Sequence, residues 1–584
     1  MKKGVEYLFY IALLFMGACA NIVTPSGGPK DTTPPIVLET TPNNPAINFN
    51  GNTIKIEFDE FVKITDIINQ VVVSPFMNEM PEIKIKGKSV VINFNDTIKP
   101  NTTYSISFGK SISDITENNV FPTYRYVFSS GNSIDSLSLK GTVRNAFTLK
   151  PESSVLVMLY NNIGDSVPYK EMPFYITKTN DLGAFNFSNL KAGKYKIFSL
   201  KDVNSNYIYD QPTENIAYID SLISPEFIEI PKIDTVKIDS IKVDSAKTDT
   251  INDTTKLEIP KIDSIKTQKS FMLNLFEEAP LVQKLLKSKA EKYGKLIFVF
   301  RKPVENLIIE PLTKDIPESW NLTEINKTKD TITLWLKNPD MDSLKLKISD
   351  NNEILDTIEI ALAKKSVAKN TGKGKGRGEN SKKILFKLNV SSGSTFGFYK
   401  PLLIDCQSPI SECFFDKILL TENKDTVKPV FYFVDSIKRV VRSDFKWKEA
   451  ADYSLLIPDS AFKNIFDATN DTLKIDFTTN SLKDYGNIKL NIISKVYDCN
   501  FIVQLITESD ALIEQKIINP NEKVQFNYII PGKYKLKVIC DQNKNNIWDT
   551  GNYLKKIEPE KVFYNTSVIS VKSNWDSDLD WVIE

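Results

Sequence analysis

The sequence predicts a mainly β protein built as a string of small sandwiches, with one short helix and disordered linkers. Three observations predict it. The first is alternation. "NTIKIEF" (Asn52 to Phe58), "SVVINF" (Ser89 to Phe94), "TYSISF" (Thr103 to Phe108) and "YRYVFS" (Tyr124 to Ser129) are short β-rich runs separated by Asn, Asp, Gly and Pro clusters. The second is duplication. "GKYKIFSLKD" starts at Gly193 and "GKYKLKVICD" at Gly532, an offset of 532 − 193 = 339 that Asp202 and Asp541 share. "YSISF" at Tyr104 and "YSLLI" at Tyr453, offset by 349, are followed 24 residues later by Phe128 and Phe477 respectively. The third is length: 584 residues correspond to about four domains.

Taken in order, residues 1–18 read as a signal peptide. Lys2 and Lys3 precede an apolar run, Leu8 to Ala18, that is too short to span a bilayer. "MGAC" then places small residues directly before Cys19. Residues 19–33 are rich in turn formers and read as a tether. A first sandwich follows at 34–131 and a second at 136–222. Residues 223–269 contain a near five-residue repeat ("KIDTV", "KIDSI", "KVDSA", "KIDSI") without large aromatics, a disordered linker that cannot fill a core. A central β domain spans 270–365. It includes "APLVQKLLKSKAEKYG", Ala279 to Gly294, where Leu281 with Leu285 and Val282 with Leu286 make a helical stripe and Gly294 a helix cap. Residues 366–381 are a basic, Gly-rich linker, and 382–481 and 484–584 repeat the first two sandwiches.

Composition narrows the function. Lys+Arg number 74 against 73 Asp+Glu, so no basic field attracts nucleic acid. Histidine is absent, which removes Ser-His-Asp, Cys-His and H-E-x-x-H chemistry. After Cys19 four cysteines remain: Cys406, Cys413, Cys499 and Cys540. Four thiols allow three pairings. Cys406 with Cys413 and Cys499 with Cys540 are nearest in sequence, and an exported chain meets an oxidising compartment.

"ACANIVTPSGGPKDTTPPIVLETTPNN" followed by "IKIEFDEFVKI" resembles the start of surface lipoproteins with a bacterial Ig-like domain of the S-layer-protein type. "MGAC" resembles a bacterial lipobox, with Met16 in place of the usual Leu. This resemblance implies a diacylated Cys19 and an outer-membrane anchor, and Ala20 does not signal inner-membrane retention. The acidic-loop modules are similar to prealbumin-like, or carboxypeptidase-regulatory-like, β-sandwiches. The resemblance implies no catalytic residue.

The candidate site is the loop D-x-N-x-N-x-x-[YW]-D, present twice. Oxygen side chains stand at positions 1, 3, 5 and 9: Asp202, Asn204, Asn206 and Asp210, then Asp541, Asn543, Asn545 and Asp549. Alternating oxygens in a tight loop can wrap Ca²⁺. Position 6 is Tyr207 or Asn546 instead of Gly, and position 12 is Thr213 or Asn552 instead of Glu, so any site is weak. The same residues equally make an Asx-rich turn. Asp576, Asp578 and Asp580 share one strand face and read as a charged edge. Asp59 and Glu60 are adjacent on a strand and point opposite ways, so they form no glycosidase pair. Lys373, Lys375 and Arg377 make the basic linker a spacer able to touch anionic lipid. Trp320, Trp335, Trp447 and Trp548 read as core residues before a sugar platform.

The expectation is a non-enzymatic lipoprotein anchored in the outer membrane, on a face the sequence leaves open. It has a structural or binding role and a protein or glycan partner from the envelope. The alternatives are an accessory subunit of an outer-membrane machine for β-barrel assembly or secretion, and a carboxylate-dependent glycan hydrolase. No cofactor is implied except Ca²⁺ at the loops.

Overall fold

The computed structural model describes residues 30–227, 269–364 and 383–584, apart from 122, 212 and 496–497. The signal peptide, Cys19, the greater part of the repeat linker and the basic linker with Lys373, Lys375 and Arg377 lie outside the described residues. The chain is mainly β, and its α-helices among the described residues are the single turns Ile67–Gln70 and Val167–Lys170. It divides into two compact units, Met1–Glu277 and Glu278–Glu584.

In the first unit, alternation builds the first sandwich as expected. Thr53–Phe58 turns Ile54, Ile56 and Phe58 inward, all fully buried, while Thr53 and Lys55 face water. This strand lies in the order Val37–Thr41, Thr53–Phe58, Ser89–Asn93, Glu82–Lys86. A second sheet, Val72–Ser74, Thr103–Ser107 and Arg125–Ser129, supplies the other half of the core. Phe128 stacks on Tyr104 there, with ring centroids 5.2 Å apart.

The second sandwich holds a correction to the sequence reading. Ser270–Glu277, assigned to the central domain, instead runs parallel to Leu137–Asn145 and antiparallel to Asn215–Ile223. Leu273 and Leu275 are buried in the core formed by Val157, Ile197 and Ala217. Glu226–Phe227, placed in the linker, also pairs with Leu137–Asn145. Gly141 permits the parallel strand to come close: a Cβ there would stand 2.2 Å from the Phe271 carbonyl oxygen.

In the second unit, the central sandwich packs Leu285–Lys292, Lys295–Phe300, Thr331–Leu336 and Asn321–Ile325 over Leu307–Pro311, Ser343–Asp350 and Glu353–Ala361. The expected helix at Ala279–Gly294 is absent; Leu285–Lys292 is a strand paired with Lys295–Phe300. Leu281, Val282 and Leu286 are 74%, 63% and 55% exposed, so the helical stripe has nothing to pack on. Gly294, at φ +70°, is a hairpin turn residue and not a helix cap. Ladder hydrogen bonds to a core strand outweigh local helix preference.

The last two sandwiches repeat the first two in detail. Tyr104 Oη accepts from Lys99 N–H at 3.0 Å, and Tyr453 Oη from Lys448 N–H at 2.9 Å. Tyr453 stacks on Phe477 at 5.6 Å, as Tyr104 does on Phe128. Tyr195 Oη donates to the Lys191 carbonyl, and Tyr534 Oη to the Ile530 carbonyl. The closing strand Asp576–Ile583 runs parallel to Gly486–Ser494, as Ser270–Glu277 does to Leu137–Asn145. Residues 228–268 are therefore an insertion ahead of the closing strand of the first copy. Arg439 ties the central sandwich to its neighbour by bonding both Glu324 and Asp405.

Cys499 and Cys540 form a disulfide. Cys406 and Cys413 do not pair; both are free thiols. Their strands hydrogen-bond to different sheets, Leu402–Cys406 to Val440–Ser443 and Ile410–Cys413 to Phe462–Asn464. Burial in the core pushes the Cys406 thiol up to about 12, which leaves it unreactive.

Candidate functional site

Each acidic loop follows the strand that begins with Gly-Lys-Tyr, and each folds the same way. Asp202 Oδ1 accepts from the N–H of Ser205 (2.7 Å) and Asn206 (3.3 Å), and Oδ2 from Tyr207 (2.8 Å). Asp541 accepts from Asn545 (3.1 Å) and Asn546 (2.8 Å). Asn204 and Asn206 each take the N–H two residues on, as do Asn543 and Asn545. Their amide nitrogens then converge on position 9. Asn204 and Asn206 donate to Asp210 at 3.2 and 2.8 Å, and Asn543 and Asn545 to Asp549 at 2.6 and 2.7 Å.

Positions 4 and 6 are left-handed in both copies: Ser205 and Tyr207 at φ +61° and +62°, Lys544 and Asn546 at +61° and +68°. The turn thus forms without the expected Gly. A Tyr in this region costs roughly 1–2 kcal/mol. Its ring, 5.1 Å from that of Phe76 in the first sandwich, offsets part of that cost.

Sequence reasoning missed one residue in each loop. Glu214, fully buried, accepts from the N–H of Val203, Asp210 and Gln211. Glu560, 6% exposed, accepts from Gln542 and Asp549. Burial, with Asp541 and Asp549 close by, pushes the Glu560 carboxyl above the usual range. Glu214 lies 12 residues past Asp202 and Glu560 lies 19 past Asp541, so the gap-free offset hides their equivalence. The one available signal was a Glu shortly after each loop, in "QPTE" and "EPE". Among the described residues, no three acidic or cysteine side chains are arranged to hold a metal ion as they stand.

The other candidates stay apart. Asp576 bonds Lys489 and Asn487, and Asp580 bonds Asn491, so the acidic face rides on its neighbouring strand. Asp59 accepts from the Ile36 N–H, while partial burial and nearby Asp114 raise the Glu60 carboxyl. Trp320 and Trp335 belong to the central sandwich, Trp447 to the core of the 382–481 sandwich, edge-on to Tyr453, and Trp548 to the second loop, where its indole donates to the Glu560 carbonyl.

Residues 31–130 match the family model described as bacterial Ig-like domain. This segment is similar to a bacterial Ig-like domain. The match agrees with the alternating strands and stacked aromatic core of residues 37–129. No curated protein matches the chain. Solved structures that are similar include BcpA, the major pilin subunit of Bacillus cereus, 12% identical, with 77% of this chain and 99% of that one covered and a TM-score of 0.13. The S-layer protein SbsC is 8% identical over 92% of this chain and 67% of that one, TM-score 0.13. The Bacillus anthracis TIE protein is 8% identical over 96% and 76%, TM-score 0.14. At these scores the superpositions say nothing of what the Ig-like domain and its neighbours bind.

Proposed function

We propose that this protein is a non-catalytic lipoprotein, anchored in the outer membrane through Cys19, whose sandwiches have a structural or binding role at the cell envelope. The observation that carries this reading is the pairing of "MGAC" behind a short apolar run with a bacterial Ig-like domain. One lipid-linked residue with two acyl chains anchors stably where a single chain does not. The absence of histidine supports a non-catalytic role. Cys19→Ala is expected to move the protein from the membrane fraction to the soluble envelope fraction and to abolish labelled-palmitate incorporation. A variant that stays in the membrane, with no label in the wild type, refutes the anchor. Detergent pull-down of the native lipoprotein with mass spectrometry identifies the envelope partner; stable recovery with a barrel protein would instead support the accessory-subunit reading.

The acidic loops serve that scaffold as turns, because their own N–H and amide donors occupy every carboxylate. Buried Asp541 favours a second reading as a weak Ca²⁺ site, since N–H groups and no basic side chain among the described residues meet it. That reading requires the Asn543 and Asn545 amides to turn their NH2 groups away from Asp549, so that their oxygens and its carboxylate face a common cation. On the turn reading, Asp202→Ala and Asp541→Ala each cost about 1–3 kcal/mol whether or not calcium is present. On the calcium reading, Kd is on the order of 10⁻⁴–10⁻³ M. Thermal unfolding of the full chain then shifts by about 1 kcal/mol at tenfold excess, less with Mg²⁺, and each variant removes part of the shift.

A further inference from the structure

The central sandwich has no second copy, and a cavity opens into its core. The cavity measures about 270 Å³ and lies where the 312–320 connection between the two sheets meets Leu336–Leu344. Its walls are Ile316, Leu336, Met341 and Leu344, with Trp320 at the side. Leu336 and Leu344 are 2% and 0% exposed and belong to the core itself.

Two polar groups there are unused. Trp320 is 9% exposed, and its indole N–H, which solvent reaches, has no partner among the described residues. The indoles of Trp335, Trp447 and Trp548 donate to Glu324, the Lys400 carbonyl and the Glu560 carbonyl. An indole N–H beside a cavity, open to solvent and without a protein acceptor, is free to donate to an acceptor from outside. Lys337, exposed on the rim, has its backbone N–H bonded to the Trp320 carbonyl, and its ammonium forms no ion pair among the described residues. Asp315 stands on the same rim, also without an ion pair, in a left-handed backbone conformation at φ +64°.

We propose that this cavity is a binding site for a monocarboxylate with a compact apolar body. The apolar body fills the space against Ile316, Met341 and Leu344. The carboxylate accepts from the Trp320 indole and meets the Lys337 ammonium. Asp315 repels a second negative charge, so dianions such as phosphate monoesters are disfavoured. A cavity near the lower end of the usual ligand range suits a molecule of this size better than a long lipid chain. The site is independent of the lipid anchor, and it gives the unduplicated domain a recognition task of its own.

Isothermal titration of the full chain with octanoate tests this, with octylamine and octyl phosphate as controls. Octanoate is expected to saturate, and both controls to bind at least tenfold more weakly. Trp320→Phe keeps the ring and removes the donor, and is expected to weaken octanoate about 3- to 10-fold. Lys337→Gln, on the surface, is expected to weaken it by a similar or larger factor. Met341→Trp fills the cavity and is expected to abolish binding. Absence of octanoate saturation up to about 10 mM, the weak end of useful affinity, overturns the proposal. So does equal binding of octylamine, or octanoate binding that both Trp320→Phe and Met341→Trp leave unchanged.

Discussion

Lys537 shows how one side chain sets a pH response. It is 3% exposed and its ammonium lies 5.5 Å from the centre of the Tyr564 ring. Burial pushes it down to about 8 from the ordinary 10.5, and Asp510 opposes only part of that. In the unfolded chain the amine holds its proton up to the ordinary value. Between these two values the unfolded state therefore binds more protons, and stability rises with pH across that window. Below the lower value both states are protonated and the folded state bears the full cost of the buried charge. The difference in melting temperature between wild type and Lys537→Met is the readout. Met, which keeps the volume, is expected to be the more stable near neutral pH, and the gap should narrow as pH rises past about 8. A gap independent of pH would mean that the amine is not desolvated.

At the scale of elements, Leu285–Lys292 is the segment where local pattern and pairing disagree. Its hairpin turns on Gly294, where a Cβ would meet the Phe466 ring at 2.4 Å with φ at +70°. Gly294→Ala must both strain the backbone and displace that ring. The expected cost is about 1–3 kcal/mol, read as a lower denaturant midpoint at unchanged slope. A helix capped by Gly294 would also strain on Ala, by about 1 kcal/mol, but would displace no ring, so an unmoved midpoint would contradict the left-handed turn itself.

For the whole molecule, the duplication is symmetric in fold and asymmetric in how it is fastened. Cys540 closes a bridge to Cys499 across 41 residues. The equivalent of Cys540 in the first copy, by the 339 offset, is Lys201, which pairs with Glu152 at 3.3 Å. Loop-closure entropy makes the bridge worth about 4 kcal/mol, against less than about 1 for an exposed ion pair. Calorimetry with and without reductant is expected to lower the unfolding of the unit Glu278–Glu584 and leave Met1–Glu277 unmoved. Movement of both units would contradict the single bridge.

What the sequence determined by itself was the local order. Period-two alternation in Thr53–Phe58 or Thr103–Ser107 already states which side chains face inward, because successive residues of a strand point to opposite sides. The Asx-rich turns were legible because Asp and Asn bond backbone only a few residues away. The offsets of 339 and 349 disclosed the duplication without any knowledge of contacts. Tertiary structure decided whatever depends on partners distant in the chain. Ser270–Glu277 joins Leu137–Asn145 across the whole second sandwich, and no local feature of "SFMLNLFE" names that neighbour. Glu214 and Glu560 reach their loops at unequal spacings, and Cys406 and Cys413, though close in sequence, stand in separate sheets. Leu285–Lys292 became a strand because the ladder to Lys295–Phe300 satisfies its backbone beside a core, whereas a helix there would have had no apolar surface to cover.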